Sequence, residues 1–136
     1  MVIDASAVLS WMIADEGDAL AAEMARVVAI TGAFAPVLLR WEVQSALLGA
    51  VRRGRLSPES CDAQLADLDE LRIAVDGQIV SLSHVRGVDL ARTHALSAYD
   101  AAYLELAARL RRPLMTRDAR LAAAARDVGL LWEPGT

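Results

Sequence analysis

Four acidic residues hold positions from which a chain could do phosphate chemistry. Asp4 follows the apolar start "MVI", and Asp118 follows "LMT" with one residue between. If both runs are strands of a parallel sheet, the two acids fall on the same edge of it. Aspartate is also a favoured helix N-cap, worth ~1 kcal/mol, and the two roles are compatible. Asp100 sits in "SAYDAAYLELAARLRR", where Tyr99, Tyr103, Leu106 and Leu110 read as the buried stripe. At 100° per residue, Glu105, Arg109 and Arg112 fall on the opposite, solvent face. Asp100 lies away from them, in line with Leu104 and Ala107, although a first-turn aspartate favoured by the helix dipole reads the same way. Glu42, in "RWEVQSALL", precedes Ala46 and Gly49 by about a turn, small residues that leave room for another element. A surface glutamate is its alternative. Neither Asp100 nor Glu42 needs a capping role.

Gathered together, such carboxylates repel one another unless a cation sits among them. An oxygen-only donor set, with two histidines and one cysteine in the chain, suits Mg²⁺ or Mn²⁺ better than zinc. Mg²⁺ borrows oxygens from phosphate, and phosphodiester hydrolysis is the matching reaction. One ion would lower the pKa of an attacking water, and a second, ~3.5–4 Å away, would steady the leaving oxygen.

Composition narrows the remaining classes. The 136 residues are 55% hydrophobic, enough for one domain, 1–136, with a real core. No apolar run reaches the ~18 residues of a membrane span, and Asp4 breaks any leader-like start. A cytoplasmic protein with no membrane partner is expected. Cys61 alone excludes an internal disulfide and a thiolate zinc cluster. Every basic side chain is Arg, with no Lys in the chain, which removes phosphate-loop and Schiff-base chemistry. A net charge of −4 argues against a broad electrostatic grip on nucleic acid. An RNA substrate would need a local Arg path or metal ions.

The elements that must position these acids alternate. Short strands are predicted at 2–5, 33–36, 73–75, 114–116 and 130–132. Helices are predicted over 6–17, 18–29, 37–53, 57–72, 80–95, 97–111 and 118–128. Ser57 with Pro58 is a strong helix start. This pattern implies an α/β three-layer sandwich, a central parallel sheet of about four to five short strands with helices on both faces. Its working site would lie beyond the carboxyl ends of the strands.

"VIDASAVLSW", "RWEVQSAL", "SAYDAAYLELA" and "LMTRDARLAAAAR" together resemble the PIN-domain nucleases, and the size and order resemble the VapC-type toxins of bacterial toxin–antitoxin pairs. The resemblance runs from residue 2 to about 132. It implies a PIN-like fold and RNA cleavage with Mg²⁺ or Mn²⁺ held by Asp4, Glu42, Asp100 and Asp118. Ser6 and Thr116 match small polar positions beside the first and last acids, where each would orient a carboxylate. A homodimer and a cognate antitoxin protein are also implied. Some relatives carry a further acid after the last aspartate; here Ala119, Arg120 and Leu121 follow, so one metal ion or two stays open.

Arg117 and Arg120 could meet RNA phosphates or pair with nearby carboxylates. His94, with no acid–base partner nearby in sequence, reads as a helix-end residue, and Cys61 as an ordinary helix residue. Trp11, Trp41 and Trp132 read as core or dimer-contact residues. Two rivals remain: a catalytically weak PIN-like binding module acting through partner contacts, and a phospho-accepting receiver domain, against which the lack of Lys weighs.

Overall fold

The computed structural model describes residues 1–13, 18–77 and 81–135. Its first strand, β1 (Val2–Ile3), is followed by α1 (Ala5–Met12), α2 (Ala19–Thr31), β2 (Ala33–Pro36), α3 (Leu38–Arg52) and α4 (Pro58–Glu70). Then come β3 (Ile73–Asp76), α5 (Ser81–His94), α6 (Ala98–Leu110), β4 (Leu114–Met115) and α7 (Ala119–Asp127). The predicted run of the first helix through 14–17, and the start of the 80–95 helix at residue 80, lie outside the described residues.

Among the described residues the sheet has four strands in the order β3-β2-β1-β4, all pairings parallel. Val2 stands opposite Phe34 on one side and Leu114 on the other, and Ile3 opposite Met115. Val2 and Ile3 are both 0% exposed. Successive strand side chains point to opposite faces, so both faces of β1 are covered, as a buried parallel sheet requires. The helix α6 packs on β1, β2 and β4, α3 on β2, and α7 on β4. The core joins Leu39, Leu47, Leu104, Leu106 and Leu121 to the strands.

The strand order reverses at β1: the chain proceeds outward through β2 and β3 on one side and returns to β4 on the other. A crevice outside the carboxyl ends of β1 and β4 follows from that topology. The expected strand at 130–132 is reduced to one bridge between Leu131 and Leu114. Leu114 donates to the carbonyl of Leu130 and Trp132 donates to that of Leu114, at 2.6 and 2.9 Å. With β4 only two residues long, this edge offers no longer ladder. No helix among the described residues is long and apolar enough to cross a membrane.

Two sequence expectations about helix faces fail. Glu105 is 5% exposed, not solvated, while Tyr99 is 64% exposed, not buried. Arg109 explains the first: its guanidinium reaches both Glu105 and Asp76 of β3, a neutralising contact that periodicity alone does not encode. The room beside Gly49 is filled by the guanidinium of Arg53, the C-cap of its own helix, rather than by another element. Trp132 joins the core and Trp11 is half-buried, whereas Trp41 is exposed. Cys61 is buried.

Candidate functional site

The register of β1 on β4 is what builds the site. Pairing Ile3 with Met115 sets the next residues, Asp4 and Thr116, side by side, and the Asp4 amide donates to the carbonyl of Met115 at 3.2 Å. Asp4 then starts α1, its Oδ1 accepting from the amide of Ala7 at 3.0 Å. The Ser6 hydroxyl lies 2.9 and 2.8 Å from the two Asp4 oxygens. Thr116 Oγ1 donates to Asp4 Oδ2 at 2.8 Å. Asp4 is thus both cap and buried carboxylate.

Ser6 does more than face Asp4. Its oxygen accepts from the amides of Arg117 and Asp118, at 2.8 and 3.0 Å. Asp118 also donates its amide to Thr116 Oγ1 at 3.0 Å. Two hydroxyls therefore lock the turn after β4 against the turn after β1. The Asp118 carboxylate caps α7, Oδ1 accepting from Leu121 at 2.8 Å.

Glu42, in the second turn of α3, is half-buried and accepts from the buried hydroxyl of Tyr103. Asp100, in the first turn of α6, belongs to its helix cap after all: its amide donates to Ser97 Oγ at 3.1 Å, and that hydroxyl donates to Asp100 Oδ2 at 2.7 Å. Reciprocal capping of this kind satisfies a free helix-end donor.

Electrostatics link three of the acids. Burial pushes Asp4 up from 3.8 to about 6, against the Ala7 amide and the Thr116 and Ser6 hydroxyls, and the charge of Glu42 adds to the rise. Glu42 is itself raised, by burial and then by the charge of Asp100, with Tyr103 opposing. Asp4, Glu42 and Asp100 therefore sense one another in a row. Asp118 joins them through backbone and hydroxyl bonds rather than through its carboxylate.

Among the described residues no group of three or more His, Cys, Asp or Glu side chains stands arranged to hold a metal ion. Each carboxylate instead takes hydrogen-bond donors of its own. Glu42 Oε1, Asp100 Oδ1 and Asp118 Oδ2 accept no hydrogen bond among the described residues. Oxygen-only donors are of the kind that suits a hard divalent cation, although the described carboxylates are not gathered around a common point.

Arg117, next to this turn, makes a two-bond ion pair with Asp18, the cap of α2, at 3.0 and 2.9 Å. Arg120 is exposed at the start of α7. His94 ends α5, as its sequence suggests, and a residue distant in sequence stands beside it: Nδ1 is 3.7 Å from Asp127 Oδ2. Two participants escaped the sequence reading, Tyr103 and Asp18. The first carried a signal, since a buried tyrosine hydroxyl needs a partner and Tyr103 lies one turn from Asp100.

Comparison with known proteins agrees with this architecture. The PIN domain family matches residues 1–127. Ribonuclease VapC1 of Mycobacterium tuberculosis, in strains CDC 1551 / Oshkosh and ATCC 25618 / H37Rv, is 35% identical over 129 residues, covering 90% of this chain and 89% of the relative. The crystal structure of PAE2754 from Pyrobaculum aerophilum superposes with a TM-score of 0.68 at 22% identity, covering 90% of this chain and 77% of that one. That likeness speaks for the fold. From β1 to the end of α7, the chain belongs to the PIN-domain family.

Proposed function

We propose that the protein is an endoribonuclease that hydrolyses RNA phosphodiester bonds with Mg²⁺, or Mn²⁺ in its place, and serves as the toxin of a toxin–antitoxin pair. The observation that carries this reading is the buried Asp4 carboxylate, raised to about 6 and facing the charge of Glu42 at the strand-order reversal. Membership of the PIN-domain family and the ribonuclease relative support it. Like charges near a buried carboxylate cost stability unless a cation offsets them.

In the proposed reaction Asp4, Glu42, Asp100 and Asp118 would hold the divalent ion. When bound, the ion supplies positive charge that lowers the pKa of an attacking water and offsets charge on the phosphate. The chain's own residues do the rest. Ser6 and Thr116 fix the orientation of Asp4 and tie Asp118 to the same turn, a supporting role that commonly matters as much as the ligands. Arg117 and Arg120, on either side of Asp118 in the sequence, would hold flanking phosphates. A cognate antitoxin and a second copy of the chain are the expected protein partners.

A non-catalytic PIN-like binding module is the second reading. It draws support from the separate hydrogen bonds that each carboxylate makes. The deciding experiment maps new ends on total RNA treated with the parent protein and with Asp4→Asn in Mg²⁺ buffer. Ends made by the parent alone support the nuclease. Mg²⁺ binding without cleavage of any RNA supports the binding module, and equal cutting by Asp4→Asn overturns the site assignment.

A further inference from the structure

The hydroxyl of Tyr103 donates to Glu42 Oε2, tying α6 to α3. It also lies within reach of the charge of Asp4, just past β1. The Tyr103 ring is 1% exposed, held by the core, so the hydroxyl has little freedom.

Glu42 has no other hydrogen bond among the described residues. Its helix starts at Val37, where no side chain caps the amides, and its neighbour Trp41 is 70% exposed. A glutamate at such a place swings outward by default, because water relieves its charge and its side-chain entropy favours freedom.

We propose that Tyr103 is a positioning residue for the nuclease site, holding Glu42 by Oε2 and leaving Oε1 free for the divalent cation that the acids would bind. This inference rests on the reading of the site as a metal-dependent nuclease. Tyr103 touches neither RNA nor ion; it acts through Glu42. A phenylalanine keeps the ring and its packing and removes only the hydroxyl.

The test compares the parent, Tyr103→Phe, Glu42→Gln and the double variant, each folded by circular dichroism. Mn²⁺ affinity is read by calorimetry, and kcat and KM are read on an RNA that the parent cuts. Tyr103→Phe is expected to weaken Mn²⁺ binding and lower kcat, each about 10-fold, with KM for RNA unchanged. In the Glu42→Gln background the same change should do almost nothing further. Parent-like Mn²⁺ affinity and kcat in Tyr103→Phe overturn the proposal, as does an equal loss in the Glu42→Gln background. If the parent neither binds Mn²⁺ nor cuts RNA, the nuclease reading fails instead. A crystal structure of Tyr103→Phe then decides this proposal alone: a displaced Glu42 carboxylate supports it, and an unmoved one overturns it.

Discussion

Thr116 Oγ1 lies 2.8 Å from Asp4 Oδ2, joining residues 112 apart in sequence. Ser6 stands between the same two turns, 3.2 Å from Thr116 Oγ1. The two hydroxyls differ in what they leave behind when removed. Ser6→Ala strips an acceptor from the amides of Arg117 and Asp118 and a donor from Asp4. Thr116→Val strips one donor from Asp4 and one of two acceptors from Asp118. Unsatisfied buried groups cost about 1–3 kcal/mol each, and less at the exposed Arg117 amide, which water can reach. Ser6→Ala is therefore expected to destabilise more than Thr116→Val in urea unfolding. The reverse order would mean that the amide of Arg117 finds another partner.

Asp4 makes stability depend on pH in an unusual direction. Its carboxyl rises from 3.8 to about 6 on folding, so between those values the native state holds a proton that the unfolded chain has lost. Stability contributed by the neutral form is thus lost as pH rises through that window. Above about pH 6 the full penalty applies, up to ~3 kcal/mol for a shift of this size. In chelator-treated buffer Asp4→Asn should melt higher than the parent at pH 8, with the gain fading by pH 4. A parent that is equally or more stable at pH 8 contradicts the buried charge.

A third prediction concerns Arg109, which bridges Glu105 and Asp76. The Glu105 side chain is 6% exposed, so removing the cation leaves a buried carboxylate alone. Breaking such a pair costs about 3 kcal/mol or more, whereas replacing the buried charges by apolar groups is often near neutral. Arg109→Met should lower the urea midpoint sharply, and Glu105→Leu added to it should recover most of the loss. No recovery would show that Glu105 has a role beyond pairing.

Much of the fold was legible because its signals are local. "AFAP" forms β2 at the bounds that its composition suggests, and Ser57 with Pro58 starts α4. Asp4, Asp18 and Asp118 all cap helices. Periodicity failed at α6, where Glu105 is buried against Arg109 of the same helix, itself paired to Asp76 of β3, and Tyr99 faces outward. Those outcomes depend on which side chain another element brings near, and no single helix contains that information. The same limit hid Tyr103, whose ring reads as core while its hydroxyl serves Glu42. It also hid the pairing of Arg117 with Asp18, 99 residues apart.

That last pair gives the prediction closest to function. The Arg117 guanidinium lowers the Asp18 carboxyl from its ordinary value, and the two side chains are 30% and 51% exposed. A pair so open to water contributes little to stability, so Arg117→Ala should unfold close to the parent. Its effect on RNA should be larger. If Arg117 meets a phosphate, its loss weakens binding across sequences and lowers the salt slope by about 1. Asp18→Ser, which keeps a capping hydroxyl for α2, frees the guanidinium and should tighten binding. Both changes can be made in the Asp4→Asn background and read by fluorescence anisotropy of a labelled RNA against salt. Tightening by Asp18→Ser must also vanish when Arg117 is alanine. If it persists there, the gain comes only from deleting a negative charge, and Arg117 is no phosphate contact.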